Sequence, residues 1–221
     1  SFREMLVPSP TRLLKSFEDL IPAIALKLLS GLLDEVNYMN DILSVPPKEV
    51  GQFVKVVQTF IKADAGMYEL DSRISEANAL FFLVQEQKIE ISPELNTTNF
   101  LLMQTGNALK TAMTRTEESM EANKRKFAKQ IKVEVPLLRD EIYEARGSLD
   151  HRMISDVTAQ PDKVSDYLQS IEDHLTDLAT QAHQYQHYQE ALELEVVAFE
   201  ELVEVQADLN VKQKMWRALG G

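Results

Sequence analysis

The sequence predicts an all-α fold, an elongated antiparallel bundle of long, coiled-coil-like helices, on three observations. Only 7 glycines and 8 prolines punctuate 221 residues, and such sparse breakers leave windows that suit helices better than a turn-rich sheet. Ala, Leu, Glu, Gln and Lys, all good helix formers, are abundant. Apolar residues recur three and four apart along most of the chain, the period of one helix face. At 44% hydrophobic residues, the chain can bury a core and is not a disordered one.

Ser9-Pro10 pairs an N-cap residue with proline at the first helical position. Leu13, Leu14, Phe17 and Leu20 follow at helical spacing, and Pro22 is expected to bend or restart the helix. Its face is read as continuing through Ile24, Leu28, Leu32 and Val36, until Ser44-Val45-Pro46-Pro47 stops it. A second helix is expected from about Pro47 to Gln85, with Val50, Phe53, Val57, Phe60, Met67, Ile74, Ala77, Phe81 and Val84 as its seam. Asp64 and Asp71 interrupt that seam. Ile89-Glu90-Ile91-Ser92-Pro93 reads as an extended connector, too short and unpartnered for a strand.

A third helical region spans roughly 98–153. Its seam reads Leu109, Met113, Thr116, Met120, Asn123, Phe127, Ile131, Val135, Leu138, Ile142, Ala145 and Leu149. Successive steps of four between Asn123 and Val135 shift the phase locally, and Pro136 predicts a kink or break. Unbroken, residues 109–149 would extend about 60 Å. Gln160-Pro161-Asp162 opens a fourth helix with a heptad seam of Val164, Leu168, Ile171, Leu175, Leu178, Ala182 and Tyr185. A fifth carries Phe199, Leu202, Val205, Leu209, Trp216 and Leu219. Three segments result: N-terminal helices at 1–45, a long-helix segment at 46–158, and a final helical segment at 159–221.

Composition narrows the function classes. The chain has no cysteine, so disulfides and thiolate metal sites are excluded. A net charge of −12 opposes duplex nucleic acid and anionic lipid. The most apolar stretch, 20–33, contains Pro22, Lys27 and Ser30 and falls short of the ~20 residues a bilayer requires. Asn96-Thr97-Thr98 fits a glycosylation sequon, a triplet common by chance. With no signal peptide at its start, the expectation is an intracellular, soluble protein with neither nucleic-acid nor membrane partners.

No reaction chemistry emerges. Phosphate-cradling glycine loops, a nucleophile triad with its oxyanion loop, and paired Glu-x-x-His motifs are all missing. His183 and His187 share a helical face at metal-ligand spacing but lack further ligands, and a partly exposed polar face beside Tyr185 and Tyr188 explains them better. Asp150-His151 belongs to a helix end or loop. No catalytic residue, metal or cofactor is therefore expected.

Charge is more informative. Lys124, Arg125, Lys126, Lys129 and Lys132 form a basic band. Glu190, Glu193, Glu195, Glu200, Glu201 and Glu204 form an acidic stretch with no basic residue between. Solvated faces are the plain reading; steering of helix pairing or subunit docking is the sharper one. Trp216, the one tryptophan, reads as core or as an anchor to a following domain, because the apolar pattern runs on to Leu219-Gly220-Gly221. Phe199, Leu202, Leu209, Trp216, Lys124, Arg125 and Lys126 are thus the interface candidates.

Gln184-Tyr185-Gln186-His187-Tyr188-Gln189-Glu190, then Phe199-Glu200-Glu201-Leu202, then 209–216 ending in Trp216, resembles the region entering the linker of dynein heavy chains. The helix after Pro47, the 89–93 connector and Lys124-Arg125-Lys126-Phe127 resemble that family in the same order. The likeness covers about residues 40–219, with axonemal heavy chains the closer match. It implies a force-carrying distal tail segment of a microtubule motor that drives ciliary or flagellar movement, with the ATPase ring far downstream. It also implies a cytoplasmic, cytoskeletal or axonemal location. The implied partners are the linker and motor of the same chain, and dynein intermediate or light chains. The competing reading is a spectrin-like or tethering adaptor bundle that binds partner helices.

Overall fold

A computed structural model describes residues 10–220 of the chain. Among them are five long helices, α1 (Pro10–Leu43), α2 (Val50–Glu86), α3 (Pro93–Leu149), α5 (Pro161–Ala191) and α6 (Glu200–Gly220), and one short helix, α4 (Arg152–Ser155). No strand occurs among the described residues, as the all-α expectation requires. No described helix is long and apolar enough to cross a membrane. The Ser9 cap and the side chains of Leu13, Leu14 and Phe17 lie outside the described residues.

The chain forms two compact units. Unit 1 comprises the described part of Ser1–Lys48 with Lys55–Glu121, and unit 2 comprises Glu49–Val54 with the described part of Ala122–Gly221. Unit 1 packs α1, most of α2 and the first half of α3 around one apolar cluster. The α1 seam is Ala25, Leu29, Leu32, Val36, Met39 and Leu43, a four-three heptad that leaves Ile24 and Leu28 about half exposed. With Leu20, also about half exposed beside the part-buried Ile21, three members of the expected face were thus one residue out of phase. Projecting the run from Leu43 to Leu32 backwards lands on Ala25, a small residue that a search for large aliphatics passes over.

In α2 the expected seam is kept from Phe60 onwards, and Ala63 and Leu70 fill the positions at which the aspartates were expected to interrupt it. Its seam alternates four and three through Val56, Phe60, Ala63, Met67, Leu70, Ile74, Ala77, Phe81 and Val84, all buried or partly buried. Asp64 and Asp71 sit beside the seam and do not interrupt it; Asp64 is exposed and Asp71 pairs with Lys110 at 2.9 Å. Thr116 Oγ1 donates to the Leu43 carbonyl at 3.4 Å, tying α3 to the end of α1.

Unit 2 is built from the second half of α3, α5 and α6, with the first turn of α2. Contacts fix its topology. The Tyr167 hydroxyl donates to the Ser148 carbonyl, and Gln213 Nε2 donates to Glu172, so α5 runs antiparallel to both α3 and α6. The ion pairs Arg139–Glu201 and Arg146–Glu204, and the bond from Trp216 to Ile154, advance in one direction along both elements. α6 is therefore parallel to α3, in an up-down-up arrangement. The expected α3 seam is followed through unit 2: Phe127, Ile131, Val135, Leu138, Ile142, Ala145 and Leu149 are buried. The α5 heptad is equally faithful, with Val164 to Ala182 buried and Tyr185 half-buried.

Helix ends explain several boundaries. α3 begins at Pro93, five residues before the expected start, because Ser92 Oγ accepts from the Leu95 amide at 3.1 Å and Pro93 occupies the first helical position. α2 and α5 both end without glycine. Lys88 (φ 53°) and Glu193 (φ 55°) adopt the left-handed conformation. The amides of Ile89 and Leu194 then reach back to the Val84 and Gln189 carbonyls, closing a Schellman motif at each end. α1 passes Pro22 without restarting and α3 passes Pro136 without breaking, which leaves of the two expectations at each proline only the bend. Pro136 is exposed, so the carbonyl deprived of its helical donor remains open to water.

Candidate functional site

The residues singled out in the sequence concentrate in unit 2, and several have a structural task there. Gln189, buried inside α5, accepts the Val197 amide on its Oε1 at 3.1 Å, while Gln186 Nε2 donates to the Val197 carbonyl at 3.0 Å. Two glutamines one helical turn apart thus satisfy both backbone groups of one residue in the 192–199 elbow. A partly buried backbone group needs such partners, because a buried amide or carbonyl left orphaned costs about 1–3 kcal/mol. The Gln-rich pattern of 184–190 therefore has a physical purpose. It clamps the turn between α5 and α6.

The tyrosines brace the same region. Tyr185 bonds to Glu134 of α3, and its burial, reinforced by that carboxylate, pushes its pKa up to about 12. Tyr188 accepts from Gln184 Nε2 at 2.5 Å. Its hydroxyl lies so close to Gly51 that a Cβ there would stand 2.6 Å away, so only glycine admits this approach without displacement. Phe53, from the same turn of α2, stacks on Phe127 with ring centroids 5.1 Å apart, both rings buried.

Of the interface candidates, Phe199, Leu202, Leu209 and Trp216 are all buried within unit 2. Trp216 also donates its indole N–H to the Ile154 carbonyl at 3.0 Å, so α4 supplies the polar partner that a buried tryptophan needs. That short helix escaped the sequence reading. Its cap is His151, whose Nδ1 accepts from the Met153 amide at 3.2 Å, consistent with the helix-end reading of Asp150-His151.

The charge bands meet in part. Lys124 pairs with Glu193 at 2.6 Å, holding that carboxyl below its ordinary range through the hydrogen bond and the charge of the lysine. Glu201 and Glu204 pair with Arg139 and Arg146, which lie on α3 outside the basic band. Arg139 Nε and Glu201 Oε1 are 3.3 Å apart without hydrogen-bond alignment; Glu201 Oε1 accepts instead from the Tyr143 hydroxyl at 3.4 Å. Arg125 and Lys126 are exposed, with the Lys126 ammonium 4.8 Å from the Phe127 ring centroid.

Chemistry-bearing groups do not converge. His183 and His187 are exposed on α5, and no group of three or more His, Asp or Glu among the described residues is placed to hold a metal. The grooves are shallow. One of about 290 Å³ runs between the start of α5 and the end of α6, past Pro161, Leu168, Gln213 and Trp216. Another, of about 260 Å³, lies beside Gly106 between α2 and α3 in unit 1.

No protein-family model matches the chain. Over 214 residues, 97% of its length, the chain is 24% identical to human dynein axonemal heavy chain 6, and it spans 5% of that protein's length. That similarity extends across both units and supports a dynein heavy chain relationship.

Proposed function

We propose that the chain is a structural, force-transmitting segment of a dynein-type heavy chain, from the tail leading into the linker. The observation that carries the proposal is the similarity to an axonemal dynein heavy chain along 97% of the residues. The internal organisation agrees with it. Apolar side chains are spent on helix–helix seams, and the conspicuous Gln, Tyr and Trp residues on bracing the α5–α6 elbow and its junction with α3. In this reading the segment itself is non-catalytic and needs no cofactor, and ATP hydrolysis belongs to a ring elsewhere in the parent motor. The setting is the cytoskeleton of the cytoplasm or axoneme. Partners are the linker and motor of the same chain, with intermediate or light chains as accessory subunits.

The test is the native polypeptide. An antibody against this chain should recover a heavy-chain-sized protein whose downstream peptides form a linker and ATPase modules. Recovery of a protein in which three-helix units simply recur would overturn the proposal. That outcome would favour the second reading, a spectrin-like or tethering adaptor, whose supporting observation is the up-down-up packing of unit 2.

A further inference from the structure

The outward face of α3 in unit 2 carries two lysines, Lys129 and Lys132, that the fold leaves without an opposite charge. From Ala122 to Val133 there are five basic residues and no carboxylate, in a chain whose net charge is −12. Lys124 is neutralised by Glu193. Lys129 and Lys132 form no ion pair among the described residues, and neither has an acidic residue three or four positions away on its own helix. The next carboxylate, Glu134, is engaged by Gln130 Nε2 at 2.7 Å and by Tyr185. Arg125–Lys129 and Lys129–Lys132 are like-charge neighbours at helical spacing, each pair costing a few tenths of a kcal/mol.

One turn further on, the same face becomes apolar. Val133 is 64% exposed and Leu137 56% exposed, with exposed Pro136 between them. Lys129, Lys132, Val133, Pro136 and Leu137 lie opposite the buried seam of Phe127, Ile131, Val135 and Leu138, so they form one continuous outward stripe. From residue 129 to 137 it extends about 12 Å. That length suits about two turns of helix. It is short for a duplex, whose phosphates would also meet the acidic remainder of the chain, and aliphatic side chains offer phosphates nothing.

We propose that this stripe docks an acidic amphipathic segment of a partner protein. Its carboxylates would lie over Lys129 and Lys132, and its apolar residues would cover Val133 and Leu137. Charge complementarity selects the partner and the aliphatic half holds it, the usual division between steering and affinity.

The test uses the whole 221-residue protein with a fluorescent amphipathic Glu/Leu peptide, a Lys/Leu peptide of the same pattern, duplex DNA and phosphatidylserine vesicles. The Glu/Leu peptide should bind in a salt-dependent way, and K129E/K132E and V133S/L137S should each weaken it about tenfold or more. Because these side chains are exposed, circular dichroism should be unchanged; K129Q/K132Q provides the same reading should the double reversal perturb the helix. Failure of the Glu/Leu peptide to bind, indifference of its binding to all three variants, or equal binding of the Lys/Leu peptide, DNA or vesicles would overturn the proposal. A negative result leaves the heavy-chain reading standing, since that rests on the size and downstream sequence of the native polypeptide.

Discussion

Trp216 joins two kinds of stabilisation in one side chain, apolar burial in unit 2 and an indole N–H bonded to the Ile154 carbonyl. Trp216→Ala loses both and should cost about 3–5 kcal/mol. Trp216→Phe keeps much of the volume but orphans the carbonyl and should cost about 1–3 kcal/mol. Denaturant titration measures both, and a Trp216→Phe variant as stable as the parent would show that the hydrogen bond adds nothing. Tyr185 makes a different prediction. Its phenol is raised to about 12, so the folded state keeps the proton longer than the unfolded chain does. That contribution to stability is complete below the ordinary phenol range, about pH 10, and is lost as pH rises towards 12. Tyr185→Phe should remove the latest-titrating component of the tyrosinate absorbance and flatten the alkaline fall in stability. Both residues stood out in the sequence, but their partners did not. Ile154 lies 62 residues from Trp216 in the chain, and no local pattern connects them.

Helix phase decides which side chains carry energy. With the α2 seam running through Ala63 and Leu70, Leu70→Ala should cost about 2–5 kcal/mol. Asp64→Ala, an exposed change away from any cap, should stay within about 0.5 kcal/mol. Chemical denaturation of the two variants separates this phase from one that runs through the aspartates, which would give the reverse order. Pro136 gives the opposite sign. It sits inside a continuous α3 without an amide to donate, and proline is about 3 kcal/mol poorer than alanine in a helix interior. Pro136→Ala should therefore raise the thermal midpoint, and a lower midpoint would mean that the ring itself is needed. The existence of every long helix was legible from periodicity. The seams of α5 and of α3 within unit 2 were legible residue by residue because Leu, Ile, Val and Phe mark most positions. The α1 seam slipped where Ala25 holds a core position, and the α2 seam was read with gaps where Ala63 and Leu70 lie beside Asp64 and Asp71. The ends of α2 and α5 carry no glycine signal, since Lys88 and Glu193 adopt the left-handed conformation themselves.

For the whole molecule, the proposed role makes a plain biochemical prediction. The isolated chain should release no phosphate from ATP above a buffer control, with or without microtubules; turnover that follows the protein through purification would contradict a purely mechanical segment. The similarity to an axonemal dynein heavy chain covers 97% of the residues at 24% identity. Such divergence is what a helical scaffold tolerates, because a heptad seam asks for apolar character at a spacing and not for particular side chains.

The all-α class and the five long helices were determined by the sequence alone, because apolar periodicity and the scarcity of breakers are local properties that a chain expresses wherever it folds. The division at 121–122 within a single α3 was decided only in the tertiary structure. So were the assignment of Glu49–Val54 to unit 2, the clamp of Gln186 and Gln189 on Val197, and the bond from Trp216 to Ile154. Each depends on which helix lies against which. That choice is made by surfaces far apart in the chain, and no window of neighbouring residues contains it.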